Sequence, residues 1–148
     1  MASAACALLD VNVLIALLDA SHVHHNLASD WLLRHESRGW ATCPLTQNGC
    51  IRILSLPTYP NSQPAAMVAQ RLAAACESQS HQFWPDAISA MNRKILHWDH
   101  ILVSRQLTDV YLLALAVFNH GSFVTFDQSI NLQAVVGARP NNLVVLKS

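Results

Sequence analysis

The first organised stretch of the chain is an unbroken apolar run, Cys6-Ala7-Leu8-Leu9, halted by Asp10 and followed after Asn12 by a second apolar block, Val13 to Leu18. A run that is apolar at every position, rather than every other one, predicts a strand covered on both faces and then a helix, because parallel strands lie between two layers. Asp10 then stands at a strand's carboxyl end, the edge where open α/β sheets bind ligands. Leu27, Trp31, Leu32 and His35 recur at helical spacing, and Gly39 to Pro44 reads as a short strand stopped by proline. Leu45 to Leu54 predicts a helix with polar groups in its first turn. Thr58 to Ser62, beside Pro57 and holding Pro60, predicts a loop, and Pro64 to Ser78 a helix opened by proline. His81 to Pro85 predicts a third strand, and Asp86 to Met91 a helical turn or two. Val110 to Phe118 is apolar nearly throughout, so it predicts a core helix, closed at Asn119-His120-Gly121 with the glycine as its C-cap. Ser122 to Asp127 predicts a fourth strand, Ile130 to Val136 a short helix and Asn142 to Leu146 a last strand. Strands alternating with helices predict one α/β domain over residues 1–148, a central, mostly parallel β-sheet flanked by α-helices.

Composition narrows the picture. A chain of 148 residues buries roughly two thirds of its unfolded surface in one domain. With 52% hydrophobic and only 12% charged residues, it is expected to keep some apolar surface for a second copy or a partner. Nine basic and nine acidic residues cancel, which excludes binding of nucleic acid by a global positive field. No stretch reaches the roughly 18 apolar residues of a membrane span, and the start MASAACALLD lacks a basic leader region, so the expected place is the cytoplasm. Cys6, Cys43, Cys50 and Cys76 lie in apolar segments without CxxC spacing and read as reduced thiols.

The acids carry the chemistry. Asp10 and Asp127 each end an apolar strand, and a parallel sheet carries both to one edge. Asp109 stands in the first turn of the core helix leading into the Asp127 strand, where the helix dipole favours its anion. An acid in such surroundings is costly unless paired or bound to a cation, and no lysine or arginine flanks Asp10 or Asp127. Clustered carboxylate oxygens without cysteine suit Mg²⁺ or Mn²⁺; the structural alternative is three capping aspartates satisfied by backbone N–H groups. Asn12 and Thr125 sit beside the acids, as ligand-orienting groups or as turn and strand-end hydrogen bonders. The histidines of Ser21-His22-Val23-His24-His25 have no ligand-spaced partner and read as a helix entry capped by Ser21, while Arg93, Lys94, His97 and His100, the most basic local patch, read as a solvated face with an RNA-contact role as the alternative.

LLDVNVLIALL, CPLTQNGCIRIL, QLTDVYLLALA and FVTFDQSI, in this order, resemble the motifs of PIN-domain ribonucleases, in particular the VapC-like toxins of bacterial toxin–antitoxin pairs. The resemblance spans nearly the whole chain. It implies a Mg²⁺- or Mn²⁺-dependent endoribonuclease that acts on RNA, forms a homodimer and is held by a small antitoxin protein. Carried over position by position, the acidic site falls on Asp10, Asp109 and Asp127, and a fourth acid, a glutamate in the family, falls on Gln47. Gln47 keeps a hydrogen-bonding oxygen but brings no charge. The implied mechanism is cation-assisted phosphodiester hydrolysis with these four residues as the catalytic set. Two rivals follow from the same residues. An aspartyl-phosphate enzyme of the haloacid-dehalogenase kind expects a second Asp where Asn12 stands, and a catalytically inactive PIN-fold module binding RNA or protein would explain Gln47.

Overall fold

The computed structural model describes residues 5–148; positions 1–4, which entered the reading of the amino terminus, lie outside it. Strand β1 (Ala7–Leu9) runs into helix α1 (Val11–Leu18), then α2 (His25–His35), β2 (Trp40–Thr42), α3 (Pro44–Leu54), α4 (Ala65–Cys76), β3 (His81–Phe83), α5 (Leu107–Phe118), β4 (Ser122–Thr125) and β5 (Leu143–Val145). All five strands are parallel, in the order β3-β2-β1-β4-β5. The chain therefore winds outward from β1 in one direction through β2 and β3, and returns on its other side as β4 and β5. The carboxyl ends of β1 and β4 flank the point where the winding reverses.

Alternation across β1 explains its unbroken apolar run. Ala7 and Leu9 pack with α1, α2, α3 and α4 in one core, whereas Leu8 packs with Phe123 and α5 in the other. Helix α5 buries Val110, Leu112, Leu113, Ala114, Leu115 and Ala116, as a core helix should. No helix among the described residues is long and apolar enough to cross a membrane.

Four local expectations are corrected. Helix α5 ends in a Schellman turn, with His120 N–H donating to Val117 O at 3.1 Å and Gly121 N–H to Ala116 O at 2.8 Å. The left-handed residue is His120, at φ 56°, and not the glycine. Gly121 is small for another reason, since a Cβ there would run into the Cys6 carbonyl and the Trp84 ring. Asp86 to Met91 forms no helix. Trp84 is buried, and the Tyr111 hydroxyl donates to Ile88 O at 3.1 Å, so tertiary contacts fix this stretch. Of Ile130 to Val136 only Leu132–Ala134 coils, as a single 3-10 turn, because Val135 pairs with Leu96 in an antiparallel bridge. Ser21 caps nothing. Its N–H donates to Asp19 Oδ1 at 3.0 Å, and α2 begins after His24 without a side-chain cap.

Candidate acidic active site

Asp10 caps α1 and is only 5% exposed. Its Oδ1 accepts the Val11 N–H at 2.7 Å, and its Oδ2 accepts the hydroxyl of Thr125 at 2.7 Å. Thr125, fully buried at the end of β4, also accepts the Asp127 N–H at 3.1 Å. One hydroxyl thus ties the end of β1 to the loop after β4, and it does so because β1 and β4 are sheet neighbours. Both oxygens of Asp10 are engaged, yet a carboxylate has about four acceptor sites, so each oxygen retains a lone pair.

The three aspartates are electrostatically coupled. Burial pushes the Asp10 carboxyl up, the Thr125 and Val11 hydrogen bonds pull it back, and the Asp127 charge adds to the rise. Asp109, half-buried in the first turn of α5, is pushed up to about 7, first by burial and then by the charges of Asp10 and Asp127. Asp127 is held low, chiefly by Ser129, whose hydroxyl and N–H donate to Oδ1 at 2.6 and 2.8 Å. Arg105 adds a smaller pull on Asp127. Asp109 therefore titrates near neutral pH, beside an Asp127 carboxyl that is held low.

Asp109 and Asp127 line a pocket of about 10 Å³ together with His100, Gln106 and Asn131. That is room for a single water or ion-sized sphere. Hard oxygen donors, mutual repulsion and a one-ion space suit a divalent cation as the group that would neutralise the site. No three carboxylate, imidazole or thiolate groups among the described residues form a ready-made cage. Ser129 engages only Oδ1 of Asp127, which leaves Oδ2 as the oxygen an ion would use.

Gln47 sits in the first turn of α3 at the same sheet edge, one strand over from Asp10. Its Nε2 donates to Thr42 Oγ1 at 3.0 Å, and that oxygen lies 2.8 Å from His81 Nε2. Its amide is turned to β2 and not to the acids. Asn12 is exposed and makes no side-chain hydrogen bond among the described residues, so Thr125 alone of the two expected supporting groups reaches an acid. His22 and His24 lie against Phe126, with ring centroids 6.4 and 4.8 Å away, and His25 Nδ1 lies 2.7 Å from Ala16 O. Sequence reasoning did not place Ser129, His100, Gln106 or Asn131 in the acidic pocket. The Asp-x-Ser spacing of Asp127 and Ser129 is a turn signature that could have revealed Ser129, whereas nothing near His100 announces that it walls the acidic pocket.

An open parallel sheet with three coupled carboxylates at its winding reversal defines the class: an α/β domain built around an acidic site. The PIN domain family model matches residues 7–135, and the chain belongs to that family. It is similar to Ribonuclease VapC44 of Mycobacterium tuberculosis, 47% identical over 140 residues that cover 95% of this chain and 99% of the relative. Ribonuclease VapC39 of the same organism is 41% identical over 133 residues (88% and 95%), and Ribonuclease VapC29 is 40% identical over 123 (83% and 86%).

Proposed function

We propose that residues 1–148 form one PIN domain that hydrolyses RNA phosphodiester bonds as the toxin of a toxin–antitoxin pair, using Mg²⁺ or Mn²⁺ held by Asp10, Asp109 and Asp127. The observation that carries this reading is the coupled carboxylate trio, in which Asp109 is pushed up to about 7 by burial and by its two acidic neighbours. The bound cation would supply positive charge to the transferring phosphate. Asp10 is fixed by Val11 and Thr125, so its free lone pairs keep one direction. Asp109 gives up its proton near neutral pH, and the donor set carries its full charge only from there upward. Gln47 holds the family's fourth position with its amide nitrogen bonded to Thr42, and a glutamate restored there would orient the attacking water or take its proton.

The similarity to proteins named ribonucleases of the VapC series supports RNA as substrate and an antitoxin protein as partner, and the cytoplasm is the proposed place of action. A homodimer would cover exposed apolar side chains on α2 and α4, such as Leu33 (73% exposed) and Met67 (46% exposed). A second reading, an inactive module that binds RNA or protein, draws on Gln47 being turned to Thr42. Fluorescent single-stranded RNA incubated with the protein and with Gln47→Glu, in Mn²⁺ and in EDTA, separates the two. Cation-dependent cleavage by either supports the nuclease; no cleavage by both, with RNA still bound, supports the module.

A further inference from the structure

The acidic pocket shares one wall residue with a second space. His100 walls the pocket of Asp109 and Asp127, and it also walls an open cleft of about 490 Å³ lined by His97, Gln133 and Val135. That volume lies within the ~300–1,000 Å³ of sites for small organic groups. The walls are tied together by main-chain bonds alone. His97 N–H donates to Ala134 O at 2.9 Å, Val136 N–H donates to Ile95 O at 2.9 Å, and Leu96 pairs with Val135 between them. Leu96, Ala134 and Val135 are buried, so both walls rest on the core. The imidazoles of His97 and His100 are left exposed, without side-chain hydrogen bonds among the described residues, at a centroid distance of 6.2 Å and an angle of 83°. His22 and His24, set against Phe126, are by contrast half-buried.

We propose that this cleft seats the RNA nucleotide next to the scissile phosphate, its base against the His97 and His100 rings and its edge read by the Gln133 amide. The proposal rests on the ribonuclease reading and adds the place where the substrate is gripped. A chain of zero net charge has no long-range field to hold a polyanion, so affinity has to come from local contacts. Unpaired bases supply such contacts by stacking on aromatic and histidine rings, and a glutamine amide offers a donor and an acceptor to a base edge. His100, shared by cleft and pocket, sets the base one step from the acids.

The test uses a 5′-fluorescein single-stranded RNA of about 12 nucleotides with randomised sequence, its binding followed by anisotropy in EDTA so that no cation enters. The variants are His97→Ala/His100→Ala and, as the ring-restoring control, His97→Tyr/His100→Tyr. The alanine pair is expected to raise Kd about tenfold, and the tyrosine pair to stay within about threefold of the parent, given the usual worth of one stacked base. Equal binding by the alanine pair overturns the cleft, and so does equal loss in both pairs, since ring stacking would then not be the cause. A parent that cleaves RNA in Mn²⁺ but binds none in EDTA also overturns it. A parent that neither binds nor cleaves RNA removes the ribonuclease reading itself.

Discussion

Replacing Asp109 by asparagine should stabilise the cation-free protein, although it removes a group assigned to the site. The Asp109 carboxyl is raised to about 7 from an ordinary value near 3.8, by burial and by the charges of Asp10 and Asp127. A raised acid pKa contributes stability that is complete below the unfolded value and is lost as pH rises through the folded one. Between about pH 5 and pH 8 the native carboxyl loses its proton, while in the unfolded chain it is already ionised. Two pH units correspond to about 2.7 kcal/mol at full strength, and the partial solvent access of Asp109 reduces this to about 1 kcal/mol. For a chain of this size that is about 2–4 °C in Tm. Thermal unfolding by circular dichroism in EDTA should show Asp109→Asn gaining this margin over the parent at pH 8 relative to pH 5. Adding Mn²⁺ at pH 8 should reverse the order, because the parent gains a ligand and the variant does not. If the difference between the two proteins is the same at both pH values, the charge-coupled trio is wrong.

Thr125→Val keeps the shape but removes the donor to Asp10 and the acceptor for the Asp127 N–H; we expect about 2 kcal/mol lower stability in urea unfolding, since a buried carboxylate oxygen loses its partner. Gln47→Glu returns a charge to the edge of the site. At about 4 Å and an effective dielectric near 20 such a pair is worth at most about 4 kcal/mol; a third of that is about tenfold tighter Mn²⁺ binding by calorimetry, with faster RNA cleavage alongside. An unchanged Kd would mean that the residue stays turned to Thr42. Asp10→Asn should abolish Mn²⁺ binding, and equal binding by the variant would refute its role as a ligand. Sedimentation at micromolar concentration should show a dimer that Met67→Asp weakens; a monomer throughout would count against the α4 face.

The centre of the sheet was legible because β1, β2 and β4 are buried throughout and read as apolar runs, whereas β3, His81–Phe83, is polar and partly exposed and was marked by its position before Pro85. Asp10, Asp109 and Asp127 were legible because each is an acid in apolar surroundings, where acids are costly. What escaped was decided by contacts distant in sequence. Asp86 to Met91 has a composition that would coil, but Tyr111 takes the Ile88 carbonyl and Trp84 is buried beside it. His120 adopts the left-handed turn while Gly121 answers to the crowding of Cys6 and Trp84, a neighbour relation that no local pattern carries. His100 joins the lining of the acidic pocket from a segment that the Leu96–Val135 bridge ties to the core. The orientation of Gln47 depends on a hydroxyl of the preceding strand.

The bond from Thr125 to Asp10 joins positions 115 residues apart, and β4 enters the sheet directly beside the first strand to be made. A ribosome delivers Asp10 early and Asp127 nearly last, so throughout elongation the nascent polypeptide carries separated aspartates and no assembled centre. A product that stops short of β4 lacks both Thr125 and Asp127, and so lacks the proposed acidic site. The bond between the two chain ends of the site therefore forms only after an interval set by translation speed, when β4 docks beside β1.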